Sequence, residues 1–263
     1  MQKFVGTILV VLVCLVSLST SVQAQTTYEV PVGGIALVGF DFDNDKFAFV
    51  CLVTIPAKTK VLFTDKGWIS DSSGFVSTEG INLWEPTKDC NVGDVILTSV
   101  GQLSQYSGDM NLSSSGDQIF IYQSINDTPL FIFGLNSEGT LGTWQTTCTG
   151  TECSTLPGAL NNLNPSPEIA FVESDSGYYK GTRDFKTTTE ALAAITNPSN
   201  WETSDSALTI PTTPFSFTTT AVGLSEFSAE TERETAPWWI IAGLVVIPVL
   251  VMVFKRPKRD CCE

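Results

Sequence analysis

No histidine occurs anywhere in the 263 residues. That removes the commonest general base and the commonest zinc ligand. A Ser-His-Asp or Cys-His mechanism is therefore impossible within the chain. A glycine-rich phosphate loop and a GxSxG elbow are missing as well. Basic side chains are scarce, 14 against 28 acidic ones. Between Gln25 and Pro237 the imbalance is sharper: nine basic side chains face 26 acidic ones, a net charge of −17. Such a surface repels nucleic acid and anionic lipid headgroups, which excludes a nucleic-acid partner. It suits a soluble ectodomain, a cation binder, or a partner that carries basic patches.

What the sequence does have begins at its ends. "MQKFVGTILVVLVCLVSLSTSVQAQ" carries Lys3, an apolar stretch from Phe4 to about Leu18, and small residues at Val22 and Ala24. This pattern predicts a secretory signal peptide over residues 1–24, cut after Ala24. Near the other end, "APWWIIAGLVVIPVLVMVF" is uncharged, with Trp238 and Trp239 at its outer edge and "KRPKR" directly after it. Trp238 to Phe254 would span about 25 Å as a helix. Snorkelling by Lys255 and Arg256 covers the rest of a hydrocarbon core about 30 Å thick. The expectation is one membrane span over residues 237–254. The basic cluster places the tail, 255–263, in the cytoplasm and the N-terminus outside, at the plasma membrane or a secretory-pathway membrane. Cys261 and Cys262 in that tail are either palmitoylation sites or free thiols in a reducing compartment.

Four cysteines remain in the outer part: Cys51, Cys90, Cys148 and Cys153. An even count in an oxidising compartment favours two disulfides. "CTGTEC" is a polar loop able to close on itself as Cys148–Cys153, which leaves Cys51–Cys90. Cys51 lies in a very apolar run, so a buried free thiol is the competing reading there. The sequons at Asn111 ("NLS") and Asn126 ("NDT") are expected glycosylation sites, whereas "NPS" at Asn197 is blocked by proline.

Strand-like runs dominate from Val30 onward: "IALVGF", "FAFVCLVTI", "TKVLFTD", "INLW", "DVILTS", "DQIFIYQ", "PLFIFGL" and "EIAFVE". "FAFVCLVTI" is almost continuously apolar and predicts a central strand buried on both faces. "DQIFIYQ" and "PLFIFGL" predict a hairpin with Asn126 at its tip. "TTTEALAAITNPSNW" is the one good soluble helix, capped by a threonine before Glu190 and ended at Asn197-Pro198. Many short strands and one short helix predict an all-β sandwich over residues 25–220. A threonine-rich stalk follows over 221–236.

The stretch "DFDNDKF" admits two readings. Asp41, Asp43 and Asp45 match the first positions of a calcium loop, but Lys46 stands where glycine belongs and Leu52 where the last glutamate belongs. One reading is a polar hairpin turn with Asn44 in the left-handed position. The other is a single Ca2+ on the rim, held by Asp41, Asp43 and Asp45 with help from Asp65. Trp68, Trp84, Trp144 and Trp201 either line a carbohydrate groove or anchor core and loops. "LSSSGDQ" reads as a turn that feeds a strand.

Taken in order, "GGIALVGFDFDNDKFAFVCLVTIPAKTKVLFTDKGW", "EGINLW", "GDVIL", "LSSSGDQIFIYQ", "FIFGLN", "LPGAL" and "AAITNPSNW" are similar to a domain of large secreted and cell-surface proteins, mostly bacterial. The similarity covers about Val32 to Trp201. That domain looks related to the lamin-tail type of immunoglobulin-like sandwich, whose style Met110 to Ile121 matches. The resemblance implies a lamin-tail-like β-sandwich ectodomain and brings no catalytic residues. The expected function is that of a single-pass type I membrane glycoprotein, a non-enzymatic module that recognises or adheres to an extracellular protein or glycan. The alternative is a calcium-dependent surface hydrolase using carboxylates on glycans.

Overall fold

The computed structural model describes residues 28–139, 141–148 and 153–218. The expected signal peptide, stalk, membrane span and tail, with Cys261 and Cys262, lie outside the described residues. Among the described residues no helix is long and apolar enough to cross a membrane.

The chain enters at β1 (Ile35–Asp41) and turns into β2 (Lys46–Cys51). It then runs through β3 (Val61–Thr64), a small hairpin β4 (Trp68–Ser70) and β5 (Gly74–Phe75), β6 (Ile81–Trp84) and β7 (Val95–Ser99). β8 (Ser104–Ser107), β9 (Gln118–Ile125), β10 (Thr128–Asn136), β11 (Glu168–Ala170), β12 (Ser176–Tyr179) and β13 (Asp184–Phe185) follow. Helix α1 (Thr188–Ile195), β14 (Trp201–Ser204) and β15 (Ser216–Phe217) complete the described order. One sheet has the order β14-β12-β1-β2-β7, and a six-stranded sheet has the order β11-β10-β9-β3-β6-β8. β4 pairs with β5, and β13 with β15, as two small ribbons.

The two large sheets pack face to face, as an all-β sandwich requires. Phe47 and Phe49 on β2 meet Phe63 on β3 with ring centroids 5.1 and 5.2 Å apart. All three are fully buried. Burying a side chain of this kind contributes roughly 1.5–3 kcal/mol. The expected central strand is real: every residue of β2 after Lys46 is buried, and so is all of β1.

Both faces of a strand can be buried only if something covers the outside of its sheet. On the six-stranded sheet the cover is the β4–β5 hairpin together with Trp144, Leu156 and Leu160. Trp68, Phe75, Trp144 and Leu160 lie on Phe120, Tyr122 and Phe131, forming a second apolar cluster. On the five-stranded sheet the segment 207–215 acts as a strap. The Leu208 N–H donates to Ser176 Oγ at 3.0 Å. Ile210 sits over Gly39 so closely that a Cβ there would overlap it. Phe215 N–H then reaches the Gly93 carbonyl at 2.9 Å.

The Thr187 side chain accepts from Glu190 N, so α1 starts at the expected cap. The β9–β10 hairpin turns on Asn126 and Asp127 alone, with φ 50° and 63°. Asn tolerates that left-handed backbone, and the favoured two-residue hairpin turn needs it at both positions.

Candidate functional site

The acidic turn comes first. Phe42–Asn44 form a short 3-10 turn between β1 and β2, and Asp45, not Asn44, takes the left-handed position at φ 50°. The sequence reading is corrected here for a local reason. The Asn44 side-chain amide donates to both carboxylate oxygens of Asp41 at 3.0 Å. That clasp keeps Asn44 inside the turn and passes the reversal to Asp45, whose N–H donates to Phe42 O at 3.2 Å. Asp45 Oδ1 in turn accepts from Leu112 N at 2.9 Å. Asp41 is buried against its clasp, while Asp43 is exposed. Asp41, Asp43 and Asp45 thus serve separate purposes, and among the described residues no group of three His, Cys, Asp or Glu side chains is arranged to hold a metal ion. Two of the three carboxylates, Asp41 and Asp45, are spent on the turn and on the loop beside it.

Asp65, expected to assist there, belongs to a different assembly. It is buried at the end of β3, where Oδ1 accepts from Gly80 N at 3.0 Å and Oδ2 from Asn111 N at 2.8 Å. Asp117, in the "LSSSGDQ" turn, accepts from Ser113 N at 2.8 Å and Gln118 N at 2.7 Å. The Gln118 amide bridges the two, donating to Asp117 Oδ1 and to the Asp65 carbonyl. Glu79 Oε2 accepts from Gly67 N at 3.2 Å, and Lys66 Nζ reaches Val76 O at 3.4 Å. Four loops are thereby clipped together by carboxylates on backbone N–H groups. "LSSSGDQ" is a turn feeding β9, as read from the sequence. At its Gly116 (φ +89°) a Cβ would overlap the Ser137 carbonyl.

Burial pushes the Asp117 carboxyl well above the usual carboxylate range; its backbone donors pull it down, and the nearby Asp65 and Glu79 charges push it up again. Burial raises Asp65 too, opposed by the N–H groups of Asn111 and Gly80 and by Lys66. A carboxyl raised in the folded state keeps a proton that the unfolded chain, with a pKa near about 4, has lost. Stability therefore falls as pH rises from the ordinary carboxylate value through the raised folded one. The melting temperature is expected to be higher at about pH 5 than at about pH 8, and Asp117→Asn to flatten that slope. General repulsion within so acidic a chain has the same sign but would survive the substitution, so thermal melts of both forms across the range separate the two.

The disulfides join Cys51 to Cys90 and Cys148 to Cys153. Asn111 and Asn126 are both exposed. The four tryptophans do not share a groove. Trp201 lies in the main core and donates to Ile195 O at 2.7 Å. Trp68 and Trp144 lie in the outer aromatic cluster and donate to Asp71 at 3.1 Å and Glu168 at 2.6 Å. Trp84, half-buried and edge-on to Phe49 at 5.0 Å, is different. Its indole N–H has no hydrogen-bond partner among the described residues.

Trp84 forms part of a cleft of about 490 Å³ between the end of β6, the 85–90 loop and the start of β7. Val95, Ile96 and Pro214 supply its other apolar surface, and Glu85, Lys88, Asp89 and Asp94 its charges. Asp89 Oδ1 accepts from Ala57 N and Asp94 Oδ2 from Asn91 N, both at 2.8 Å, which fixes these two side chains in place. A second cleft, about 370 Å³, lies beside Trp144 and Gln145. There the polar groups turn inward: Gln145 Oε1 accepts from Asn136 Nδ2 and from Ser154 N, and Gln145 Nε2 donates to Glu138 O. Trp84 was visible in the sequence as one of the four tryptophans that precede the expected membrane span. The signal that singles it out, an indole N–H left open, exists only in three dimensions. Compared with protein-family models, curated proteins and solved structures, the chain matches none.

Proposed function

We propose that this chain is a single-pass membrane glycoprotein whose lamin-tail-like β-sandwich ectodomain is a non-enzymatic module for recognition or adhesion at a cell surface. The observation that carries this reading is the use the fold makes of its acid groups. Asp45, Asp65, Asp71, Glu79, Asp89, Asp94 and Asp117 all accept backbone N–H bonds. Each one fixes a loop. Loops held rigid on a disulfide-stapled scaffold lose little freedom when a partner binds, and such preorganisation favours affinity. The signal-peptide and span patterns of the sequence support an outward-facing placement.

The test is to immobilise the full chain, in detergent, and to probe it against arrays of glycans and of extracellular proteins. Saturable capture of one defined class of ligand is the expected result. Capture of nothing, or turnover of glycoside substrates by the same preparation, would sink the reading.

A further inference from the structure

We propose that the Trp84 cleft receives a cationic side chain, an arginine above all, from an extended basic segment of a partner protein. This rests on the recognition reading and names the chemistry of the partner.

The shape comes first. At about 490 Å³ the cleft falls in the ordinary size range of ligand sites, roughly 300–1,000 Å³. Its position adds a backbone surface, because β7 is the outermost strand of its sheet and Val95 and Ile96, at its start, form one wall. An extended segment can lay its own N–H and C=O groups along such an edge while alternate side chains enter the cleft.

The aromatic group comes next. Three of the four cleft and core tryptophans spend their indole N–H on the fold itself. Trp84 keeps its donor open beside the cleft and offers ring surface to whatever enters it. A guanidinium over a tryptophan face is attracted by the ring quadrupole, and the open N–H suits a peptide carbonyl next to it.

Charge decides the class of ligand. Three carboxylates, Glu85, Asp89 and Asp94, line the cleft against one ammonium, Lys88. Asp89 and Asp94 are each anchored through one oxygen, and no protein donor is bound to Asp89 Oδ2 or Asp94 Oδ1 among the described residues. Glu85 has only a long contact, 4.0 Å, with the mostly exposed Lys58. Asp89 and Asp94 are fixed acceptors with capacity left over, and a guanidinium, with five donors in a fork, is the cation best suited to carboxylates. The net charge of −17 over Gln25–Pro237 would steer a basic segment towards the protein at long range. A neutral sugar would use the ring but gain nothing from that excess of negative charge.

The experiment uses the full chain in a zwitterionic detergent. Fluorescence anisotropy compares a labelled peptide of alternating arginine and glycine with its citrulline twin, which keeps the shape and loses the charge. Neutral oligosaccharides are tested as competitors. Expected results are binding of the arginine peptide only, loss of about tenfold in affinity for Trp84→Ala, and loss of about threefold for Glu85→Gln. Lys88→Glu should tighten binding by about threefold, while the control Lys180→Glu leaves it unchanged. That gain cannot come from misfolding, which guards against Trp84→Ala merely loosening the structure.

Equal binding of the citrulline peptide, no gain from Lys88→Glu, or displacement by a neutral sugar overturns the proposal. If the peptide fails to bind but array capture persists in both the parent and Trp84→Ala, the cleft assignment is wrong and the recognition reading stands. If capture is absent altogether, the recognition reading has failed.

Discussion

Replacing Cys51 and Cys90 together by serine is expected to cost about 4 kcal/mol of stability, a fall of about 8–16 °C in melting temperature for a domain of this size. The disulfide ties the end of β2 to a residue 39 positions later. Cys90 also exchanges both backbone bonds with Ile55, each 2.9 Å, so the bond fastens the whole excursion through β3 to β6 back onto β2. Cutting it releases that length of chain in the unfolded state. Two serine hydroxyls would then stand where buried sulfurs had been, because both cysteines are almost fully enclosed. Cys148 and Cys153 are only five positions apart, and the same entropy argument gives about 2 kcal/mol for their removal. The check is a pair of denaturant titrations on the two double variants. An equal loss from both would mean that the long loop is not what the bond restrains.

Asp65→Ala is expected to cost about 2 kcal/mol. The substitution strands the buried N–H group of Gly80, at roughly 1–3 kcal/mol, and removes the partner of the Asn111 N–H at the exposed margin of the site. Part of that loss is offset, since a buried charge and its repulsion with Asp117 disappear together. Asp65→Asn retains one acceptor and should lose about half as much. Urea titration supplies the numbers, and hydrogen exchange supplies the mechanism: protection should fall first at Gly80 and Asn111. A global loss with those two amides still protected would refute the clip.

These effects show where sequence reasoning reaches and where it stops. β2 was legible because an unbroken apolar run has few other places to go. The Asn126 hairpin and the Thr187 cap were legible because each needs only its neighbours in sequence. The turn at Asp41–Asp45 was half legible. Its existence follows from polar residues between two strands, but the choice of Asp45 over Asn44 depends on a side chain reaching back to Asp41. β8, β12 and β14 carry too few apolar residues to announce themselves, and they exist because neighbouring strands offer edges. Asp65 and Asp117 looked ordinary among so many acids. Only the loops that converge on them, from positions as far apart as Gly80 and Ser113, make them structural.

The coverings on the outside of the two sheets have a consequence for how this protein can vary. A bare sandwich meets other molecules with its flat sheet surfaces, where each exposed side chain has a neighbour on the next strand. Here the strap 207–215 lies on one outer face, and the β4–β5 hairpin with Trp144, Leu156 and Leu160 lies on the other. What is left for contact is rims, turns and outermost strands, segments that can be exchanged one at a time without disturbing the packing beneath. A lineage of such proteins could change its partners by rewriting residues 85–88 alone, with Asp89 and Cys90 kept, and still fold as before.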